Sequence, residues 1–346
     1  MDYLSQSGGD SMMKAAVRAH TNIALIKYWG KSDEALFLPM NSSLSLTLDG
    51  LYTDTFVEMS EHFTKDRFYL NDVQQSIEET AKISRFLDLF RNESGIHHRV
   101  HVKSINHVPT AAGLASSASA FAALAGAMNR ATGLNMDNET LSTYARRGSG
   151  SATRSLFGGF VEWQKGTVSE DSLAIPVDDA SWDIGMVIIA VNKSVKKISS
   201  RVGMKQTVET SPFYPAWVTS AEEDLVAIKA AIKVRDFEKV GQITEHSAMK
   251  MHGSMLGAET PIMYFEPDSI KAIQAVRALR EQGILCYVTM DAGPNVKVLC
   301  RLSEAGKIKE MLTEYFSEEQ LLISGPGKGI RELTLEEAAE YNWQLS

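Results

Sequence analysis

The stretch PTAAGLASSASA, residues 109–120, restricts the fold most, because nine of its twelve residues are Gly, Ala or Ser. It follows a strand-like run, HHRVHVKSIN, and leads into a helix predicted over 115–131. Side chains this small let a backbone come close to another group. Two interpretations stay open from these residues alone: a phosphate cradle at the start of the helix, and a helix packed tightly through its alanines.

In the first interpretation, Gly113 allows the turn, and Ser116 and Ser117 lie near the first helical turn. The N–H groups of that turn have no partner within the helix, and the helix dipole adds about half a positive charge there. The usual nucleotide motifs are missing. The chain has no G-x-x-x-x-G-K-[ST], and GSGSATRSLFGG lacks the third glycine at the Rossmann spacing.

Composition narrows the class of protein. The 346 residues, 44% of them hydrophobic, suffice for one large domain or two lobes. No apolar run approaches the roughly 20 residues of a membrane span, and the N-terminus has no secretory pattern. The formal net charge is −8, so we expect no general attraction for nucleic acid or membrane. Two cysteines without metal-site spacing fit a reducing, cytoplasmic compartment.

Strand and helix patterns alternate irregularly, which indicates an α+β fold rather than a doubly wound sheet. Residues 1–13 are expected to form a disordered extension, and a lobe boundary is expected near 183–186. The helix predicted over 74–92 has Ile77, Ala81, Phe86, Leu87 and Phe90 on its inner side. Strands are predicted at 14–19, 44–59 (with a turn at Asp49–Gly50), 284–290 and 295–301, and helices at 138–147, 214–231, 236–251, 267–282 and 303–316.

The segment NIALIKYWGK places Asn22, Lys27, Tyr28 and Lys31 beside the first strand. Lysine ammonium and tyrosine hydroxyl groups can contact phosphate oxygens. The alternative is a strand edge with solvated lysines, and this segment alone favours that alternative.

Two later segments carry further candidates. RRGSGSATRS holds Ser149, Ser151 and Arg154 after a helix, and an arginine fork suits phosphate or carboxylate; the alternative is a flexible surface turn. VTMDAGPN places Asp291 at the end of an apolar strand. A carboxylate there suits a catalytic base or an orienting group, although an Asx-turn residue is commoner.

In this order and context, NIALIKYWGK, PTAAGLASSASA, GSGSATRSLFGGF and DAGPN resemble the diphosphomevalonate decarboxylases, members of the GHMP small-molecule kinase superfamily. The resemblance runs from about Ala15 to Pro326. It implies a GHMP-kinase-type two-lobed fold, with an ATP-binding lobe over 14–184 that is similar to domain 2 of ribosomal protein S5. It further implies a ferredoxin-like lobe over 185–346, an active site in the cleft between the lobes, and a homodimer.

The resemblance also implies roles for single residues. Asp291 is the expected catalytic aspartate, with Lys31 and Arg154 as further catalytic groups. The expected substrate-binding residues are Asn22, Tyr28, Lys31, Ser149, Ser151, Arg154 and Met204. Those expected to bind ATP are Ser104, Gly113, Ser116, Ser117, Lys196, Lys197 and Ser200, with Ser117 also contacting Mg²⁺. Arg201 and Lys205 are expected to add positive charge for the anionic ligands.

The implied reaction is the ATP-dependent decarboxylation of 5-diphosphomevalonate to isopentenyl diphosphate, through phosphorylation of the 3-hydroxyl. One alternative is a related kinase or decarboxylase that acts on mevalonate or its monophosphate. Another is a nucleotide-binding regulator without turnover, against which Asp291 and Lys31 argue.

Overall fold

Two antiparallel-rich sheets with helices form the fold in the computed structural model, which describes residues 13–107, 116–191 and 198–345. The strands are β1 Met13–Ile26, β2 Lys31–Asp33, β3 Leu38–Pro39, β4 Ser43–Ser60, β5 Arg67–Leu70, β6 Val73–Gln74, β7 Arg99–His107, β8 Phe160–Trp163, β9 Ala174–Asp178, β10 Gly185–Ile189, β11 Cys286–Met290, β12 Val296–Cys300, β13 Leu321–Ser324 and β14 Arg331–Glu332. The helices are α1 Ile77–Ser94, α2 Ser117–Ala131, α3 Asn138–Gly148, α4 Ser200–Thr210, α5 Tyr214–Lys233, α6 Phe237–Leu256, α7 Pro267–Glu281, α8 Ala305–Leu312 and α9 Leu335–Glu340.

The first sheet has the order β14-β1-β4-β7-β5-β6, and β8 and β9 extend it from β4. Its helices α1, α2 and α3 pack on one face, where the alanines of α2 are almost all buried. Small side chains let α2 lie close to β1, so the alanine-rich half of the opening stretch does serve helix packing. Both interpretations of that stretch can therefore hold, with the alanines packing inside and Ser116 and Ser117 standing at the helix start.

The second sheet has the order β11-β12-β10-β13, and all of its pairings are antiparallel. Helices α7 and α8 cover one face of this sheet. Along the chain, β10, α7, β11, β12, α8 and β13 follow the β-α-β-β-α-β order of a ferredoxin-like fold. Helices α5 and α6 fill the space between the other face and the β1–β4 end of the first sheet. The two sheets and their helices confirm the α+β, two-lobed architecture, and the shared core lies between the two sheets.

Several local predictions need correction. Asp49–Gly50 is not a turn: both residues belong to β4, whose pairing with β1 shifts register there. Ile77 is 91% exposed and Ala81 is also exposed, whereas Phe86, Leu87 and Phe90 are buried as predicted.

The predicted end of the N-terminal extension and the predicted lobe boundary can be compared with the observed strands. Met13, assigned to the extension, begins β1, and residues 1–12 lie outside the described ranges. The division at 184/185 stays a prediction; Gly185 begins the second sheet, but β14 returns to pair with β1. Among the described residues, none of the helices is long and apolar enough to cross a membrane.

Gly30 makes possible the tight loop between Lys27 and β2. Its φ is +101°, which side-chain-bearing residues rarely adopt, and the Tyr214 hydroxyl occupies the place that a Cβ would take. The same hydroxyl donates a hydrogen bond to the Trp29 carbonyl oxygen at 2.6 Å. The loop that carries Tyr28 and Lys31 is therefore held against α5.

We predict that Gly30→Ala lowers the free energy of unfolding by about 2–5 kcal/mol, because backbone strain and overpacking add together. Gly95→Ala is the matched control, since Gly95 also has a positive φ but no atom lies near its missing Cβ. The control should lose only about 1–2 kcal/mol. Urea unfolding followed by circular dichroism measures both, and equal losses would contradict the role of the Tyr214 contact.

Candidate active site

Asp291 lies between two lysine ammonium groups at the meeting point of the two sheets. It directly follows β11, and its Oδ1 lies 2.7 Å from Nζ of Lys27, the residue after β1. Its Oδ2 lies 3.0 Å from Nζ of Lys297, in β12. Both ammonium groups are almost fully buried, whereas 39% of the Asp291 side chain remains accessible. The carboxylate thus faces a cavity, and the two lysines form the floor of that cavity.

The surroundings shift the pKa values of this group of residues. Burial opposes the ionisation of Asp291, but the adjacent charges of Lys27 and Lys297 outweigh it and hold the pKa of the carboxyl well below its usual range. Burial lowers the pKa of Lys27 to about 8, and the Asp291 carboxylate opposes that shift. At neutral pH Asp291 is therefore a carboxylate and Lys27 an ammonium group.

Arg154 supplies a third buried positive charge. Its Nη1 donates to Ser43 Oγ at 2.6 Å and its Nε to Asn22 Oδ1 at 3.3 Å. Asn22 is fixed in turn by donating to the Ser151 carbonyl and the Ser155 hydroxyl. Burial lowers the pKa of Arg154 to about 10. Because the Asn22 and Ser43 oxygens that accept its hydrogen bonds are neutral, this guanidinium retains charge that an anionic ligand can neutralise.

A cavity of about 360 Å³ opens above these charges. Tyr28 lines it with its ring 4.8 Å from that of Trp163, and burial raises the pKa of the Tyr28 hydroxyl, so this group stays protonated and can donate. Lys31 stands at the cavity wall, where its Nζ pairs with Glu34 at 2.8 Å. Elements from both sheets therefore build one cation-lined pocket.

A second cavity of about 590 Å³ adjoins the first. Ser104 and Ser116 line it, whereas Ser117 lines the first cavity. The start of α2 thus stands at the boundary between the two cavities. Ser116, the N-cap residue, makes no side-chain capping bond to the helix, and its Oγ accepts a hydrogen bond from Asn106 Nδ2 at 2.9 Å. The N–H groups in the first turn of α2 have no partner within the helix, so they suit a phosphate chain lying across this boundary.

The structure brings most of the predicted residues together. All of the predicted substrate-binding and catalytic residues line the first cavity: Asn22, Tyr28, Lys31, Ser149, Ser151, Arg154, Met204 and Asp291. Ser200 was predicted to bind ATP, and it lines the cavity that contains Asp291. Arg201 lines both cavities, whereas Lys205 is exposed on α4 and lines neither. Gly113, Lys196 and Lys197 lie outside the described residues.

Sequence reasoning gave no role to Lys297 and no specific role to Lys27. A signal for Lys297 existed, because it interrupts the apolar strand VKVLC, where a buried lysine needs a charged partner. For Lys27 the signal was its place directly after a long buried strand. The pattern at Lys27 does not identify its partner, since Lys27 and Asp291 are 264 positions apart. Lys297 and Asp291 are 6 positions apart, but nothing in the strand pattern shows that their side chains meet.

A magnesium ion fits this site only with nucleotide oxygens as its main ligands. Over residues 13–107, 116–191 and 198–345, no group of three or more His, Cys, Asp or Glu side chains could hold a metal ion. Mg²⁺ in nucleotide sites commonly takes phosphate oxygens, water and few protein ligands. The exposed Ser117 hydroxyl at the start of α2 is a suitable oxygen, and the bound ion would neutralise phosphate charge.

Comparison with known proteins gives consistent results along the chain. The family described as "Diphosphomevalonate decarboxylase-like N-terminal domain" matches residues 19–174, and "Mevalonate 5-diphosphate decarboxylase C-terminal domain" matches 186–341. The diphosphomevalonate decarboxylase of Candida albicans is 37% identical over 88% of this chain and 89% of its own, and the human one is 39% identical over 81% and 75%.

Solved structures agree with these matches. The mevalonate diphosphate decarboxylase of Enterococcus faecalis has a TM-score of 0.89 and 50% identity, covering 93% of this chain and 99% of its own. That of Staphylococcus aureus has a TM-score of 0.91 and 44% identity, covering 93% and 98%. A further similar structure, also with a TM-score of 0.89 and 50% identity over 93% and 99%, is MDDEF in complex with MVAPP, AMPPCP and magnesium.

We predict that Lys297→Met raises the pKa of Lys27 from about 8 toward its ordinary value of 10.5, because a neighbouring positive charge that disfavours protonation is removed. Lysine labelled with ¹³C at Cε reports the titration by NMR, and Lys27→Arg identifies the signal. Lys205→Met, which changes an exposed lysine, should leave the Lys27 titration unchanged. An unshifted Lys27 signal in Lys297→Met would show that the two ammonium groups do not interact.

Proposed function

The chain belongs to the diphosphomevalonate decarboxylase family, and on that premise we propose that the cavity above Asp291 is its active site. The enzyme is a carboxy-lyase of the mevalonate pathway, which supplies isoprenoid biosynthesis. With ATP and Mg²⁺ it converts (R)-5-diphosphomevalonate to isopentenyl diphosphate, CO₂, ADP and phosphate. The observation that carries the site assignment is the Asp291 carboxylate, bound on both oxygens by lysines and facing a cavity lined with further cations.

The cations of the first cavity suit the charges of the substrate. Diphosphomevalonate carries a carboxylate and a diphosphate, which a protein of net charge −8 would repel without local compensation. Arg154 is buried and fixed on neutral partners, so it can bind one of these groups without reorganising. Lys31, Arg201 and Tyr28 line the same cavity, and we propose that they bind the other. Each charge-assisted contact contributes roughly 1.5–3 kcal/mol.

The nucleotide would extend from the second cavity to the first. Ser104 and Ser116 would lie beside it in the second cavity, and the start of α2 would bind its phosphates. Ser117 points to the first cavity, where the γ-phosphoryl group must meet the 3-hydroxyl of the substrate. Gly113, Lys196 and Lys197 are proposed to complete this part of the site on the strength of the resemblance.

Asp291 would orient the 3-hydroxyl for attack on the γ-phosphorus. Its two oxygens already accept from Lys27 and Lys297, and its pKa is held well below the usual range, so it is a weak base. Phosphoryl transfer through a loose transition state needs positioning and charge neutralisation more than an early proton transfer. The proton would therefore leave the hydroxyl oxygen late, after most of the new P–O bond has formed.

In the second stage the C3–O bond breaks and phosphate leaves with the bonding electrons. The bond between the carboxylate and C2 then breaks, CO₂ departs, and its electron pair forms the alkene between C2 and C3. Positive charge on C3 would be stabilised by the anions around it, including Asp291. Exclusion of water from the cavity prevents capture of this cation.

Three features of the whole protein are part of the proposal. The ATP-binding lobe would comprise residues 14–184 and the second lobe 185–346, with β14 and α9 crossing back to the first sheet. The protein would be a homodimer, as the resemblance suggests. It would act in the cytoplasm, which is supported by two buried cysteines, Cys286 and Cys300, that are both unpaired.

Incubation of the purified protein with ATP, Mg²⁺ and each of mevalonate, its 5-phosphate and its 5-diphosphate tests the proposed substrate. We expect CO₂ release from the diphosphate, with one ADP formed for each CO₂. CO₂ from mevalonate or the monophosphate, or ADP without CO₂ from the diphosphate, would instead support one of the related activities. A protein that binds ATP without substrate-dependent ADP formation would be a non-catalytic regulator.

We predict that Asp291→Asn lowers turnover by about 10²–10⁴-fold, because a neutral amide is a weaker acceptor for the hydroxyl than a carboxylate and two buried ammonium groups lose their counterion. Affinity for ATP, measured by calorimetry, should stay near that of the unmodified enzyme. Asp183→Asn is the matched control, since Asp183 binds Ser303 and lines neither described cavity. Turnover within a few-fold of normal in Asp291→Asn would remove Asp291 from the mechanism.

A further inference from the structure

Phe37 stands where the two cavities meet. It lines both of them, together with Gly148 and Arg201, and it belongs to the short β2–β3 hairpin that follows the KYWGK segment. No role was assigned to this residue from the sequence. Its position raises the question of what a phenylalanine does between two pockets that otherwise bind polar, charged ligands.

The backbone of Phe37 is held in an unfavourable conformation. Its φ is +58°, in the left-handed region that a bulky side chain rarely occupies. The preceding residue, Leu36, is fixed on both sides: its N–H donates to Asp33 Oδ1 at 2.7 Å, and its carbonyl accepts from the buried Arg146 Nε at 3.1 Å. Strain of this kind persists only where the surrounding structure fixes it, and it is concentrated at functional positions.

Two cationic side chains lie near the Phe37 ring. The Lys31 ammonium lies 3.9 Å from the ring centroid and the Arg201 guanidinium carbon 6.0 Å from it. Only 5% of the Lys31 side chain is exposed, so the aromatic face replaces water around that charge. Glu34, which is 61% exposed, pairs with the same ammonium from the solvent side. The ring therefore sets the position from which Lys31 can meet an anion.

We propose that Phe37 is a positioning and specificity residue, which holds Lys31 and Arg201 at the junction of the cavities and keeps water away from it. This inference rests on the proposed function, in which the γ-phosphoryl group crosses that junction to reach the substrate. A smaller side chain would open the junction to water. A water oxygen could then attack the γ-phosphorus and break its bond to the bridging oxygen, giving ADP and phosphate without CO₂.

In this proposal the anion of the substrate would replace Glu34 as the partner of Lys31. Glu34 is flexible enough to leave, because most of its side chain is in solvent, whereas Phe37 is fixed through Leu36. Binding of the diphosphate would displace Glu34 and leave the ammonium resting on the ring. Phe37 thus acts on the substrate through Lys31 and on the nucleotide through exclusion of water.

The test compares Phe37→Ala, Phe37→Leu and Phe37→Gly in the full chain. Two quantities are measured: the ratio of ADP to CO₂ at saturating substrates, and the Kd of diphosphomevalonate by calorimetry without nucleotide. We expect Phe37→Ala and Phe37→Gly to raise the ratio well above one. All three variants should weaken the Kd by about 3- to 30-fold, because a cation–π contact is lost. Phe37→Leu keeps apolar bulk and should keep a ratio near one.

Controls separate this role from general damage to the fold. Phe63→Ala removes another half-buried phenylalanine, which stacks on His101 and lines neither cavity, and should change neither quantity. Phe37→Gly accepts a positive φ without strain, so it remains foldable if Phe37→Ala is not. A ratio of one with an unchanged Kd in Phe37→Gly would overturn the inference. Failure of the unmodified enzyme to release CO₂ would instead overturn the proposed function.

Discussion

The contact of Asp291 with two lysines is the interaction on which the arrangement of the site depends. Lys27 directly follows β1 of one sheet, whereas Asp291 directly follows β11 of the other and Lys297 lies in the neighbouring strand β12. A buried charge left without its partner costs about 3–5 kcal/mol, so none of the three can be displaced alone without a large penalty. The group therefore fixes how the ends of the two sheets approach each other, and through them the shape of the cavity.

The same contact determines where positive charge is available. Asp291 neutralises one of the two ammonium groups, which leaves an excess of positive charge on the cavity floor, and Arg154 adds to it from a neutral hydrogen-bonded setting. An acidic protein can in this way hold a polyanion, because its negative side chains are spread over the surface while buried cations face the ligand. Burial strengthens these interactions, since few water molecules screen them. Phe37 extends this principle to the junction, where an aromatic face replaces water around Lys31.

Much of the site could be predicted from the sequence because its parts are short motifs whose residues are close together along the chain. The loop at residues 27–31, the serines before Arg154 and the turn at Asp291 each have local signals, and the resemblance connected them. Lys297 contacts Asp291, six positions away, and Phe37 contacts Lys31, which is equally near in the sequence. Both were missed because no local pattern shows that these side chains meet once the chain has folded. Ile77 was misplaced for a related reason: helical periodicity extended one turn beyond the part of α1 that the sheet covers. The return of β14 to the first sheet has no local signal in a two-residue strand.

In the proposed mechanism, the low pKa of Asp291 and its position beside two lysines together restrict the order of events. A carboxyl group that releases its proton this readily cannot hold one taken from an alcohol early in the reaction, when the hydroxyl is still a very weak acid. Lys27, with a pKa near 8, can hold a proton at neutral pH but is already protonated there. In the proposed mechanism the hydroxyl would therefore become acidic before it is deprotonated, through its bonding to the γ-phosphorus. In this proposal the site would act mainly by stabilising charge on the transferring group, and the weakness of its base would follow from the lysines that provide this stabilisation.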